Sequence, residues 1–230
     1  MEKLLILHGA LGSKSQFEAL LSSFSQKVDA YFLEFSGHGI QPFQKDFSIE
    51  QFSVELIRFV DNNNLKGCHV FGYSMGGYVA LYTASNYPDY FQSIQTLGTK
   101  FLWSPEIAEK ETKMLNAEKI IEKVPAFAED LERRHNDWQK LLICTKSLME
   151  GLGNEALLRG DELKAVNIPV KISRGSKDHM VSAEESIWAK NHLQLAEYHE
   201  IYEMKHPIEK YDKVALAKTI EKSLAIYNTQ

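Results

Sequence analysis

Short apolar segments alternate along this chain with longer segments whose apolar residues recur every three or four positions. Apolar runs bordered by glycine, proline or polar residues are typical of buried strands, and the longer pattern is typical of amphipathic helices. We predict strands over residues 4–7, 29–35, 68–73, 91–97, 170–172 and 198–202. We predict helices over residues 15–24, 48–62 and 210–227. This alternation predicts an α/β fold in which helices flank a mostly parallel sheet.

Residues 101–163 interrupt the alternation. They contain no strand pattern, and their apolar residues recur at helical spacing among many charges. Pro125 and Gly151 divide the segment, which predicts three or four helices inserted between two strands. We therefore expect an α/β core formed by residues 1–100 and 164–230, and an all-helical unit, here called the cap, formed by residues 101–163.

The composition excludes several classes of protein. The 230 residues have an ordinary globular balance, with 44% hydrophobic and 25% charged residues, so a disordered chain is excluded. The longest apolar run, residues 78–82, is far shorter than the roughly 20 residues of a membrane span, and we expect no membrane partner. A net charge of −5 argues against a nucleic-acid partner. The short apolar stretch near the first residue and the two distant cysteines predict no signal peptide and no disulfide framework, so we expect a cytoplasmic protein.

The strongest chemical signal is the pentapeptide Gly72-Tyr73-Ser74-Met75-Gly76, which matches the pattern Gly-x-Ser-x-Gly. It follows a predicted strand and opens a helical pattern. A strand-to-helix turn this tight holds the serine in a strained conformation and needs very small neighbours on both sides. In an arbitrary loop the same pattern would be structural, but this context favours Ser74 as a nucleophile.

A serine hydroxyl needs an adjacent base to become a nucleophile at neutral pH. His206 follows the last predicted strand and precedes Pro207, which biases it away from helical angles and places it in a loop. Asp178 follows the predicted strand at residues 170–172. The chain order Ser74, Asp178, His206 is the order expected around this motif, so we predict that Asp178 orients the imidazole of His206.

A tetrahedral intermediate also needs N–H donors for its negatively charged oxygen. We predict the backbone N–H of Met75, at the start of a helix, and that of Ala10, in the loop after the first strand. The alternative is that this loop only forms a tight turn around Gly9. Residues 9–15 match neither of the glycine-rich phosphate-binding patterns, so we reject phosphate binding.

The sequence positions of the other histidines favour structural rather than catalytic roles for them. No pair has a metal-ligand spacing such as HExxH, so we predict no metal. His69 lies in a predicted buried strand and is interpreted as a core histidine. His8 and His38 each precede a glycine at a strand end, which favours structural hydrogen bonds. We expect His179 in a loop and the remaining ones on solvated faces: His135, His192 and His199.

Together these motifs resemble the α/β-hydrolase superfamily. The matching elements are His8-Gly9, Gly37-His38-Gly39, the stretch 72–77, Asp178 and His206. They extend over nearly the whole chain. The resemblance implies an α/β-hydrolase fold in which a Ser-Asp-His triad lies beneath a helical cap.

One subgroup within that superfamily has especially similar stretches. The stretches HGALGS, GHG and GYSMGG are similar to those of the menaquinone-pathway SHCHC synthases, which are lyases with the same triad. Those enzymes typically carry an arginine directly after GYSMGG, where it helps to bind substrate carboxylates. This chain has Tyr78 there, which favours hydrolysis over elimination.

We predict a serine hydrolase that acts on a small-molecule carboxylic ester or thioester and needs no cofactor. A lyase with the same triad and a non-catalytic binding protein on the same fold remain as alternatives. The predicted substrate-binding residues are Tyr78, Lys100, Trp103 and Trp138.

Overall fold

A six-stranded parallel sheet forms the centre of the molecule in a computed structural model that describes residues 1–227. The strands are β1 (Glu2–Leu7), β2 (Val28–Leu33), β3 (Cys68–Tyr73), β4 (Phe91–Leu97), β5 (Val170–Gly175) and β6 (Ala196–Ile201). Their order across the sheet is β2-β1-β3-β4-β5-β6, and every neighbouring pair is parallel. The carboxyl ends of all six strands therefore share one edge of the sheet, where loops meet.

Helices cover both faces of this sheet. In chain order they are α1 (Glu18–Leu21), α2 (Ile49–Asn62), α3 (Met75–Asn86), α4 (Pro105–Thr112), α5 (Ala117–Lys123), α6 (Pro125–Arg134), α7 (Trp138–Asn154), α8 (Gly160–Lys164), α9 (Ala183–His192) and α10 (Lys213–Tyr227). Alternate residues of β1 point to opposite faces. Leu5 and Leu7 pack in the cluster that includes α2 and α3, whereas Leu4 and Ile6 pack in the cluster that includes α1 and α10. The predicted α/β architecture is confirmed.

The segment between β4 and β5 contains helices and no strand, as predicted. It contains α4 to α8 rather than three or four helices, and α8 ends one residue beyond the predicted cap boundary. A small apolar cluster, formed by Ile120, Ala128, Leu131 and Leu142, joins α5, α6 and α7. The division into core and cap as separate domains stays a prediction.

Several predicted elements have different limits in the structure: β1, β2, β6 and α10 differ by one to three residues at one or both ends, and two other elements differ in kind or extent. The helix predicted over residues 15–24 is a 3₁₀ turn (Lys14–Phe17) followed by the single-turn α1. Strand β5 continues past its apolar residues to Gly175, because the charged Arg174 within it has partners for its guanidinium on both sides. Within residues 1–227, no helix combines the length and the apolar character that crossing a membrane requires.

Candidate active site

Ser74 lies at the sharp turn between β3 and α3, with φ of 50° and ψ of −117°. A non-glycine residue with positive φ is strained and tends to persist at functional sites. The turn is held by its backbone, because the Ser74 N–H donates to the Leu97 carbonyl and the Ser74 carbonyl accepts from Thr99 Oγ1. A Cβ atom on Gly72 would lie 2.5 Å from Gly77 Cα, and one on Gly76 would lie 2.6 Å from a β1 carbonyl oxygen. The flanking glycines are therefore required by the tightness of the turn, as the motif predicts.

Asp178 and His206 meet at the same edge of the sheet. Asp178 follows β5 and His206 follows β6, and His206 Nδ1 donates to Asp178 Oδ2 over 2.8 Å. The second carboxylate oxygen accepts from the backbone N–H groups of Met180 and Val181. Burial alone would raise the pKa of Asp178. The hydrogen bond and charge of His206 and the two N–H donors outweigh that effect, and the pKa lies below its ordinary value. Asp178 is therefore held as a carboxylate, which fixes the His206 tautomer that leaves Nε2 free to accept a proton.

Three further residues position this pair. The Arg174 guanidinium donates to the carbonyls of Asp178 and Val181, so it holds both ends of the acid loop. Tyr73 Oη donates to the backbone carbonyl of His206 over 3.0 Å. Gly98, with φ of 63°, lies so close that an added Cβ would be 3.2 Å from His206 Nδ1.

The two predicted oxyanion donors lie beside Ser74. Met75 begins α3, and the first N–H groups of a helix have no intrahelical acceptor. Ala10 belongs to a turn closed by the hydrogen bond from Gly12 N–H to the Gly9 carbonyl. A Cβ on Gly9 would lie 3.0 Å from Ser74 Cβ, so this turn packs directly against Ser74. Ala10 and Met75 thus line the same cavity as Ser74 and His206.

That cavity, of about 50 Å³, lies between Ser74 and the cap. The cap contributes mainly apolar side chains: Trp103, Leu148, Met149 and Leu152. The indole N–H of Trp103 is buried and has no hydrogen-bond partner within the described part of the chain. Trp138, which we predicted to bind substrate, packs against the apolar cluster of α5 to α7 instead of lining this cavity. Its helical spacing therefore indicates the interior of the cap.

Lys100 and Tyr78 also line the cavity, but their polar ends are engaged by the protein. Lys100 Nζ lies 3.6 Å from Glu111 and 3.7 Å from Glu185, and it donates to the Met180 carbonyl. Tyr78 Oη accepts from the backbone N–H groups of residues 157 and 158, and burial raises its pKa to about 12. Neither side chain supplies an uncompensated positive charge to the cavity.

Three histidines form a buried cluster next to the turn at residues 9–12. The ring of His38 lies 4.5 Å from that of His8 and 6.1 Å from that of His135. Burial lowers the pKa of His8 to about 4 and that of His38 well below 6.5. His8 has the structural role that we predicted, because Nδ1 donates to the Gly9 carbonyl and Nε2 accepts from the Phe35 N–H.

The expectation that His135 lies on a solvated face is wrong. This residue is only 5% exposed and bonds to two loops of the core. His192 is also partly covered, since its ring lies 4.5 Å from that of Trp188. His69 is buried as predicted, with Nδ1 2.7 Å from Ser93 Oγ, and His179 and His199 are exposed.

The residues that hold the site differ in how far they could be recognised from sequence. Arg174 could have been noticed, because a charged residue at the end of a buried strand needs a partner. His135 has no such signal, since its partners are 96 and 124 positions away along the chain. Only the three-dimensional structure brings them together.

Comparison with known proteins gives the family. A family model described as the alpha/beta hydrolase fold matches residues 3–134. A segment of 108 residues, 46% of this chain, is 29% identical to ethanol acetyltransferase 1 of Hanseniaspora uvarum, of which it covers 32%. A segment of 88 residues, 37% of this chain, is 33% identical to the sn-1-specific diacylglycerol lipase ABHD11 of Mus musculus, of which it covers 29%. The matched segments thus span about a third of the length of these curated relatives.

A likeness among solved structures extends over the whole fold. A thermophilic esterase from Thermogutta terrifontis superimposes with a TM-score of 0.79, covering 99% of this chain and 90% of the esterase at 18% sequence identity. At that identity the likeness establishes the fold alone. The family model already matches more than half of the 230 residues. The chain belongs to the alpha/beta hydrolase family.

Proposed function

We propose that this protein is a serine hydrolase that cleaves short-chain carboxylic esters or thioesters through an acyl-enzyme. One observation carries the proposal: the strained Ser74 opens into an apolar cavity that is shared with His206, itself bonded to Asp178. This arrangement supplies a nucleophile, a base and a carboxylate that orients the base.

The chemistry follows from these positions. Ser74 Oγ attacks the acyl carbon while His206 Nε2 takes the hydroxyl proton. The N–H groups of Met75 and Ala10 stabilise the negative charge on the carbonyl oxygen, an effect worth about 10²–10³-fold in rate per donor. His206 then returns the proton to the leaving alcohol or thiol, which leaves an acyl group on Ser74. Water attacks that ester with His206 as base, so the acid is released and the serine is restored.

The charges near the cavity favour hydrolysis over elimination from a polycarboxylate. A carboxylate that enters an apolar cavity needs a fixed cation, and arginine is best suited to pair with it. Lys100 is compensated by two glutamates. Arg133 pairs with Asp130 and Arg134 with Glu209, and neither belongs to the described lining of the cavity. A neutral acyl group suits this environment better.

The size of the cavity supports a short acyl chain. The space of about 50 Å³ is lined mainly by apolar side chains, which favours a small, neutral acyl group. Related proteins support acyl chemistry by name, because one is an acetyltransferase and another a diacylglycerol lipase. We therefore expect acetyl and butyryl groups to be accepted more readily than long chains.

The test is an assay with p-nitrophenyl acetate, butyrate and decanoate on the wild type, on Ser74→Ala and on the exposed control Ser147→Ala. We expect kcat/KM to fall from butyrate to decanoate, and Ser74→Ala to lose about 10⁴-fold or more in kcat. The control should retain wild-type activity. A fluorophosphonate probe should label the wild type and the control but not Ser74→Ala.

Three results would contradict the proposal. Ester turnover that survives in Ser74→Ala would exclude this serine as the nucleophile. Efficient release of pyruvate from the SHCHC-synthase substrate, without ester turnover, would establish the lyase alternative. Saturable ligand binding with no turnover of either substrate would establish a binding protein.

A further inference from the structure

The oxyanion turn of the core, residues 9–12, is held by the cap through the residue that follows Ala10. Leu11 has φ of 56°, at the third position of the turn, where glycine or asparagine is usually preferred. Leucine has no intrinsic preference for a positive φ. Its conformation must therefore be maintained by its surroundings.

Both the side chain and the carbonyl group of Leu11 contact the cap. The side chain packs against the apolar cluster that includes Ile120 and Leu131. The carbonyl oxygen accepts a hydrogen bond of 3.0 Å from His135 Nε2. The turn that carries the predicted donor Ala10 is thus attached to the cap at two points.

His135 also bonds to a second loop of the core. Its Nδ1 accepts from the Gly39 N–H over 2.8 Å, so the ring proton must be on Nε2, where it is donated to the Leu11 carbonyl. Both ring nitrogens are therefore used within the protein. Their bonds fix the ring orientation, and the ring is almost fully buried.

We propose that His135 is a positioning residue that holds the turn at residues 9–12 in the conformation in which the Ala10 N–H reaches the oxyanion. The inference rests on the proposed function, because it assigns a role in the same reaction. It goes beyond that function by making the oxyanion hole depend on a residue of the cap. When the cap loses this contact, the turn is free to relax and transition-state stabilisation is lost.

Two substitutions at His135 separate its two bonds. In His135→Gln the amide nitrogen lies near the former Nε2, so it can still donate to the Leu11 carbonyl. In His135→Asn the shorter amide can accept from the Gly39 N–H but cannot reach Leu11. Asn136→Ala is the matched control, because the Asn136 side chain bonds to the Ile40 carbonyl rather than to the oxyanion turn.

We expect kcat for p-nitrophenyl butyrate to fall about 10–100-fold in His135→Asn, the range of a misplaced oxyanion donor. KM should change less than about threefold. His135→Gln and Asn136→Ala should stay within about threefold of the wild type in both constants. Inhibition by butylboronic acid, whose tetrahedral adduct with Ser74 places an oxygen in the oxyanion hole, should weaken in His135→Asn by the same factor as kcat/KM.

Leu11→Ala provides an independent test if His135→Asn fails to fold. Alanine removes the apolar contact with the cap and, unlike glycine or asparagine, does not favour a positive φ by itself, so kcat should again fall with little change in KM. Equal kcat values in His135→Asn and His135→Gln, or wild-type kcat in Leu11→Ala, would overturn the inference while wild-type ester turnover left the proposed function intact. A wild type that neither hydrolyses esters nor binds the boronic acid would overturn both.

Discussion

Both oxygens of the Asp178 carboxylate accept hydrogen bonds, and each has different donors. Oδ2 accepts from His206, while Oδ1 accepts from two backbone N–H groups of its own loop. Arg174 holds the carbonyl of the same residue and that of Val181. The position of the imidazole is therefore set by a short, buried chain of hydrogen bonds that ends on β5.

Replacing Asp178 by asparagine tests this chain. We expect Asp178→Asn to fold and to lower kcat by about 10³–10⁴-fold, because an amide N–H facing Nδ1 stabilises the tautomer in which Nε2 carries the proton. The measurement is kcat for p-nitrophenyl butyrate, with circular dichroism as the check on folding. Glu129→Gln, at an exposed position of α6, is the control and should keep the wild-type kcat. Near-wild-type activity in Asp178→Asn would mean that another carboxylate serves the histidine.

At the scale of elements, helix α3 both carries the reactive turn and receives the end of the cap. Tyr78, one turn into this helix, accepts from the N–H groups of Leu157 and Leu158. These two residues lie between α7 and α8, where the backbone has no helix of its own. The hydroxyl therefore replaces the missing backbone acceptors, and we assign Tyr78 mainly to docking the cap.

Removing that hydroxyl separates docking from substrate binding. In Tyr78→Phe two N–H groups that are wholly or partly buried lose their acceptor, and we expect the free energy of unfolding to fall by roughly 1–3 kcal/mol. KM for short esters should change less than about twofold. Tyr90→Phe, which removes an exposed hydrogen bond to Asp61, should change the stability by less than about 0.5 kcal/mol. A large rise in KM with unchanged stability would instead show that Tyr78 contacts the substrate.

The elements that could be predicted from sequence are those whose pattern is set by burial. Strands β3 and β4 have the predicted limits because both faces of a central parallel strand are covered and every residue type is constrained. The limits of the short α1 and of the charged end of β5 were not predicted, because they depend on tertiary partners rather than on the local sequence pattern. Trp138 could not be assigned correctly, since helical spacing alone does not tell the interior of the cap from the wall of a cavity.

The residues of the candidate site also fall into those that could be predicted from sequence and those that could not. Ser74, Asp178 and His206 could be proposed because the pentapeptide is local and the other two follow strands in a fixed order. The role of His135 could not be predicted, because it depends on how the cap packs on loops far away in the chain. Contacts between residues so distant in the chain cannot be recognised from the spacing of residues in the sequence.

At the scale of the whole molecule, the three clustered histidines join the core to the cap as neutral groups. Burial is the largest cause that lowers their pKa values, and nearby charge adds to it: Arg134 lowers the pKa of His135 further. His8 and His135 each have a pKa of about 4 in the folded protein instead of the ordinary 6.5. Between these two values the unfolded chain binds protons that the folded chain does not.

The free energy of unfolding should therefore be greatest above pH 6.5 and should fall as the pH drops towards 4. At pH 5 the loss from these two groups is about 2 kcal/mol each, at 1.36 kcal/mol per pH unit. Carboxylates such as Asp178 add to the loss only below their ordinary pKa of 3.8, which separates the two effects.

The measurement is urea unfolding at pH 7.5 and pH 5. His135→Gln should reduce the difference between the two pH values by about 2 kcal/mol, because a group that does not titrate replaces one that does. His179→Gln, at an exposed position, should leave the difference unchanged. Equal stability of the wild type at both pH values would show that the buried histidine cluster does not set the pH dependence of unfolding.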